Sequence, residues 1–134
     1  MINVGIIGSG FIGPAHLEAL RRLGDVEVVA LCDSRLEAAQ RKARALNIAH
    51  AYDSVEALLA HPGLQVVHNC TPNHLHAQIN RQIQKIIAIA PADSRRLIPG
   101  TVVYNHVVIL RKLFYEPVYY AFNIFCLIIS GYYN

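Results

Sequence analysis

The stretch INVGIIGSGFIGPAHLEAL, residues 2–20, constrains the fold more than any other part of the chain. A short β-branched run, INVGII, stops at Gly8, and a helical pattern begins within a few residues of it. Between them Gly8, Ser9, Gly10, Phe11, Ile12 and Gly13 spell G-x-G-x-x-G. A strand feeding a helix through glycines at this spacing predicts the first unit of a βαβ repeat. Gly8 permits the tight turn, Gly10 leaves the backbone open to close approach by a ligand, and Gly13 lets the helix pack against the strand. The start of the helix then offers unpaired N–H groups and the positive end of its dipole, a place suited to a pyrophosphate.

The chain repeats this grammar as far as residue 84. GPAHLEALRRLG predicts a helix with Ala15, Leu17, Leu20 and Leu23 on its inner face, ended by Gly24. VEVVALCD reads as a second strand. SRLEAAQRKARALN reads as a helix with Ser34 as its N-cap and Leu36, Ala39, Ala43 and Leu46 facing inward. AHAYD predicts a short third strand, and SVEALLAHPG a short helix capped by Ser54 and stopped by Pro62-Gly63. LQVVHNC and PNHLHAQINRQIQ supply a fourth strand and helix. Strands alternating with helices at this spacing predict an α/β fold of the Rossmann-like kind, a doubly wound parallel sheet over residues 1–82.

Beyond residue 82 the composition changes. Nine of the eleven aromatic residues fall in residues 101–134, and alanine nearly disappears there. We therefore expect a dinucleotide-binding domain over 1–82 and an irregular hydrophobic tail over 83–134, with KIIAIA as a fifth strand and TVVYNHVVIL as another. The chain has 134 residues, enough for one domain but short for separate cofactor and substrate domains. Residues 1–80 carry six Lys/Arg and seven Asp/Glu, and residues 81–134 six and two, so the net charge of +3 arises in the tail. The basic residues are not interleaved with stacking aromatics, which argues against a nucleic-acid partner. Residues 118–130 are apolar apart from Asn123 and Ser130, but such a run is shorter than the roughly 20 residues that span a bilayer. Cys32, Cys70 and Cys126 form no C-x-x-C pair and no basic, apolar leader precedes the first strand, so a reduced, cytoplasmic protein is expected, with Cys32 and Cys70 as buried strand-end residues.

Two further groups of residues bear on chemistry. Asp33 lies twenty positions after Gly13, at the end of the second strand. Its carboxylate there accepts hydrogen bonds from an adenosine ribose and repels a 2′-phosphate, which favours NAD over NADP, while Arg35, after Ser34, can swing toward a 2′-phosphate. The second group is HNCTPNHLHAQIN, His68 to Asn80, a strand end running into a helix beside the glycine turn. His74 and His76 are two apart, not the four of a helical metal pair, so no metal site is expected. A helix capped by Asn73 with solvent-facing histidines remains an alternative to a ligand-binding role.

At these residues the sequence resembles the N-terminal half of the Gfo/Idh/MocA family of NAD(P)-dependent oxidoreductases. VGIIGSGFIGPAHLEAL, VVALCDS and AYDSVEALLAHPGLQVVHNCTPNHLHA match it in order and spacing from about residue 2 to residue 82. The resemblance implies dinucleotide binding by Gly8 to Gly13 with Asp33 at the adenosine ribose. It also implies Thr71, Pro72, Asn73 and His76 around the cofactor's central and nicotinamide side. Family members move a hydride to or from a carbon of a sugar, cyclitol or related polyol. The chain departs from the family after the fourth helix. It lacks the Glu-Lys-Pro signature whose lysine takes part in catalysis, Glu116-Pro117 having no lysine between them, and it lacks the substrate domain. A switch this abrupt is what a frameshift or a fusion to noncoding sequence produces. The expectation is a truncated, NAD-binding protein without catalysis of its own and without a catalytic residue to name. Two alternatives stay open: a dehydrogenase completed by a partner chain, and membrane association through the apolar tail. No feature speaks to oligomeric state.

Overall fold

The computed structural model describes residues 1–89, 102–104 and 107–109. Strands β1 (Ile2–Ile7), β2 (Val26–Cys32), β3 (His50–Tyr52) and β4 (Val66–Asn69) alternate with helices α1 (Ile12–Arg21), α2 (Leu36–Ala45), α3 (Val55–Leu59) and α4 (Asn73–Ile89). β1 pairs in parallel with β2 on one side and β4 on the other, and β3 pairs in parallel with β2. Two short strands follow, β5 (Val102–Tyr104) and β6 (Val107–Ile109). β6 lies antiparallel to β4 and β5 antiparallel to β6, giving the order β3-β2-β1-β4-β6-β5.

Alternation along the strands divides the core into two layers. Ile2, Val4 and Ile6 of β1 join Leu17 and Leu20 of α1 and Ala43 of α2 on one face of the sheet. Ile7, Cys32 and Val67 join Val55 and Leu58 of α3 and Ile83 of α4 on the other. Helices therefore cover both faces, as a doubly wound sheet requires. A bulge in β2 shifts the register between Val4↔Val28 and Gly5↔Ala30. The extra residue, Val29, reverses the parity of β2, so that Val28 faces the α1/α2 layer while Ala30 faces the α3/α4 layer.

Several local expectations change. Ala15 is exposed, and His16 takes its place in the buried stripe Gly13, His16, Leu17, Leu20 of α1, which is the i, i+3, i+4, i+7 series. The N-cap position of α2 is Arg35 in an extended conformation, not Ser34, and Leu36 in the first turn is 41% exposed. Ser54 does cap α3, its hydroxyl accepting from the Ala57 N–H at 3.2 Å. Lys85–Ile89, expected within a fifth strand, continues α4 instead, because Ile79, Ile83, Ile86 and Ile87 recur at helical spacing and pack on the sheet. TVVYNHVVIL holds two strands rather than one. Residues 118–130, Cys126, Pro91 and Pro99 lie outside the described residues. Among those described, no helix is long and apolar enough to cross a membrane.

Candidate cofactor site

The carboxyl ends of β1, β2 and β4 bring three turns together. β1 is the strand at which the order reverses, with its chain neighbour β2 on one side and β4 on the other, and ligands of open α/β sheets bind at such a point. Backbone bonds tie the turns to one another: Gly8 N–H donates to Cys32 O at 2.8 Å, Cys70 N–H to Ile7 O at 2.7 Å, and Asp33 N–H to Tyr52 O at 3.1 Å.

The three glycines of the turn do different work. Gly8 has φ +93°, and a Cβ there would meet Cys70 O at 2.8 Å and Thr71 N at 2.9 Å, so the β4–α4 turn leans on a residue without a side chain. A Cβ on Gly13 would meet Gly8 O at 2.8 Å, which sets how closely α1 approaches β1. A Cβ on Gly10 would meet nothing within 4 Å. Gly10 is exposed, and the space a side chain would occupy there is open to a ligand. α1 begins beside it with Phe11 in the N-cap position, no side-chain cap and no acidic residue in the first turn. Its first N–H groups and dipole therefore face outward where an anion can approach. Phe11 is 93% exposed, whereas Ile12 packs into the core.

Asp33 follows β2 directly and reaches across to the glycine turn. Its Oδ2 accepts from the backbone N–H of Ser9 at 3.2 Å and from the Ser9 hydroxyl, and its Oδ1 from the Ser34 N–H at 2.7 Å and the Ser34 hydroxyl at 3.2 Å. Partial burial pushes the carboxyl pKa up, but the hydrogen bonds from Ser9 and Ser34 outweigh it and hold Asp33 below its ordinary value. Arg35, exposed, stands next in the chain as α2 begins.

On the other side, Thr71 donates through Oγ1 to Asn69 Oδ1 at 2.7 Å, and Asn69 donates to Asn80 Oδ1 of α4 at 3.0 Å. Pro72 and Asn73 are exposed, Asn73 being the first residue of α4 rather than the residue before it. His76 lies one turn along α4 with Nε2 2.6 Å from the Thr71 carbonyl oxygen, which only accepts, so Nε2 carries a proton. His74 is exposed. Among the described residues no group of three His, Cys, Asp or Glu side chains is placed to hold a metal ion. Gly8 to Gly13, Asp33 to Arg35 and Thr71 to His76 thus meet at one end of the sheet.

Sequence reasoning missed the polar residues beneath this surface. His68 and Asn69, both fully buried, leave β4 toward opposite layers, His68 to His16 of α1 and Asn69 to Asn80 of α4. The signal was present as two polar residues closing an otherwise apolar strand, a pattern that requires partners.

Residues 2–87 match the family described as an oxidoreductase family with an NAD-binding Rossmann fold, Gfo/Idh/MocA. The chain belongs to this family. D-glucoside 3-dehydrogenase of Escherichia coli is 37% identical over 76 residues, 56% of this chain and 22% of that enzyme. An NAD-binding oxidoreductase from Klebsiella pneumoniae superposes with a TM-score of 0.56 at 36% identity, over 65% of this chain and 24% of its own. A levoglucosan dehydrogenase in complex with NADH and levoglucosan gives a TM-score of 0.57 at 28% identity, over 63% and 25%. The chain spans about a quarter of the length of these Gfo/Idh/MocA relatives, the part that is their NAD-binding Rossmann domain.

Proposed function

We propose that this chain binds NAD(H) across the carboxyl end of its sheet and that, taken alone, it does not turn over a sugar or polyol. The pyrophosphate lies on the turn Gly8, Ser9, Gly10, Phe11, Ile12 and Gly13. The adenosine ribose meets Asp33 and Ser34, with Arg35 alongside, and Thr71, Pro72, Asn73 and His76 flank the nicotinamide side. The observation that carries this reading is the contrast among the glycines: side chains at Gly8 and Gly13 would strike backbone, while one at Gly10 would enter open space at the start of α1. Internal packing accounts for two of the three glycines, and close approach by a ligand accounts for the third. A carboxylate at Asp33 favours a free 2′-hydroxyl, hence NAD over NADP.

A bound nicotinamide supplies a hydride acceptor or donor. This chain's residues would hold and orient it. Hydride transfer also needs a substrate held about 3–3.5 Å away and a placed acid or base. The lysines among the described residues are Lys42, on α2, and Lys85, twelve positions after the first residue of α4. At 1.5 Å of rise per residue Lys85 lies about 18 Å along that helix from the site. His76 alone offers a proton carrier without a substrate wall. The sugar and cyclitol chemistry of the relatives therefore passes to this chain as cofactor binding only.

Titration calorimetry of the wild type and Gly10→Val with NAD and NADH tests the site. Binding by the wild type that the valine abolishes supports it, and equal binding by both removes the glycine turn from the site. Steady-state assays with NAD across sugars and inositols test the second half. Turnover abolished by Gly10→Val would overturn it and point to a dehydrogenase completed by residues outside the Rossmann domain.

A further inference from the structure

The two oxygens of Asp33 are held in unequal ways. Both donors to Oδ2 belong to Ser9, a residue 6% exposed in the β1–α1 turn, through its N–H and its hydroxyl. Both donors to Oδ1 belong to Ser34, which is exposed at the rim. An ionised carboxylate offers about four lone-pair sites. Four donors fill them all, so a hydroxyl of an incoming ribose must displace one.

The displaced donor is set by burial. A backbone N–H cannot turn away, which leaves the two hydroxyls. If the Ser9 hydroxyl gave up Oδ2 it would have to find another acceptor in a buried turn or remain unsatisfied, whereas the Ser34 hydroxyl turns into water. We propose that Ser9 is a positioning residue that clamps Asp33 Oδ2 and turns Oδ1 outward, and that the Ser34 hydroxyl keeps the place on Oδ1 which a ribose hydroxyl of the dinucleotide takes. Asp33 thus has one oxygen anchored across the sheet to the glycine turn and one oxygen left for the ligand. This inference rests on the assignment of Asp33 to the adenosine ribose.

The two serines consequently act with opposite sign. Ser9→Ala removes one of the two donors that hold Oδ2 and leaves the carboxylate freer to swing, so NAD binding weakens by about threefold to tenfold, the range one hydrogen bond covers. NADP, whose 2′-phosphate gains nothing from the anchored carboxylate, does not weaken, and Ser9→Thr, which keeps the hydroxyl, restores NAD affinity. Ser34→Ala removes a competing donor and tightens NAD binding by a fewfold.

The test measures the dissociation constants of NAD and NADP by calorimetry for the wild type, Ser9→Ala, Ser9→Thr, Ser34→Ala and Asp33→Ala, with the Asp33 carboxyl titration followed by NMR. The proposal expects Ser9→Ala to lose NAD affinity alone, to raise the carboxyl pKa, and to be rescued by threonine, with Ser34→Ala shifting NAD the other way. If Asp33→Ala narrows the NAD preference but Ser9→Ala leaves it unchanged, or if both serine variants weaken NAD alike, the proposal is overturned. Equal loss of NAD and NADP in Ser9→Ala would also overturn it, by showing general damage to the turn. If Asp33→Ala changes neither affinity nor preference, the ribose assignment itself fails.

Discussion

Nδ1 of His16 and Nδ1 of His68 lie 3.1 Å apart, with their rings at 74° to each other, and this contact joins α1 to β4 inside the layer that carries the glycine turn. At that distance one Nδ1 donates and the other accepts, so the two rings hold complementary tautomers. Both residues are buried, at 4% and 0% exposure, and removing either ring leaves its neighbour's nitrogen to be satisfied in an apolar layer. Each of His16→Leu and His68→Leu should cost about 1–3 kcal/mol, and the double variant less than the sum of the two. Chemical denaturation of the four proteins measures this, and strict additivity would show that the contact couples nothing.

Gly8→Ala and Gly10→Ala should separate cleanly in stability. At Gly8 the new methyl would meet the Cys70 carbonyl at 2.8 Å from a backbone at φ +93°. A loss of about 2 kcal/mol or more is expected there, and a change within about 0.5 kcal/mol at Gly10, where nothing lies within 4 Å. Thermal melts of the two variants decide it, and equal melting points would refute the packing role given to Gly8.

Stability should fall with acid in two stages. Burial, then the neighbouring His50, pushes His61 below its ordinary 6.5, while its Nδ1 stays 2.8 Å from the Tyr52 hydroxyl. The unfolded chain therefore takes up that proton first, so this contribution is complete above pH 6.5 and is lost as pH falls from there through the lower folded value. Asp33 is also depressed, so its contribution is complete above its unfolded value of 3.8 and disappears as pH falls through the lower folded value. Denaturation midpoints measured between about pH 7.5 and 5.5 should flatten in His61→Gln. An unchanged slope would remove His61 from the first stage.

Cys32 and Cys70 should resist thiol reagents in the native protein. Burial raises both thiols to about 12, helped at Cys32 by the negative charges of Asp33, Asp53 and Glu56. At pH near 8 the reactive thiolate is scarce and shielded. Alkylation mapped by mass spectrometry should be fast at these two positions only after denaturation.

The sequence made the first half of the fold readable because local pattern and tertiary role agree there. INVGII, VEVVALC and LQVVHNC are segments rich in β-branched residues between turn residues, and each holds a parallel strand. The misreadings share a cause, the choice of period where two were available. Lys85–Ile89 is rich in β-branched residues, which suit strands, yet its isoleucines continue the stripe from Ile79 and Ile83 along α4. Ala15 looked like a core position because it is apolar, although His16 stands in register with Gly13, Leu17 and Leu20. In the candidate site, the glycine spacing and Asp33 were legible because the motif is local. The grip of Ser9 on Asp33 was not, since it joins residues 24 apart through a bulged strand pairing that no single segment encodes.

β1 is bonded along both of its edges, to β2 and to β4, whereas among the described residues β3 is bonded only to β2 and β5 only to β6. Amides of an outer strand exchange with deuterium through local fraying, while those of a central strand wait for the sheet to open as a unit. The protons of Val4, Ile6 and their neighbours should be the last to leave. The glycine turn springs from that slowest strand, so breathing at either margin of the sheet leaves the ground beneath it still.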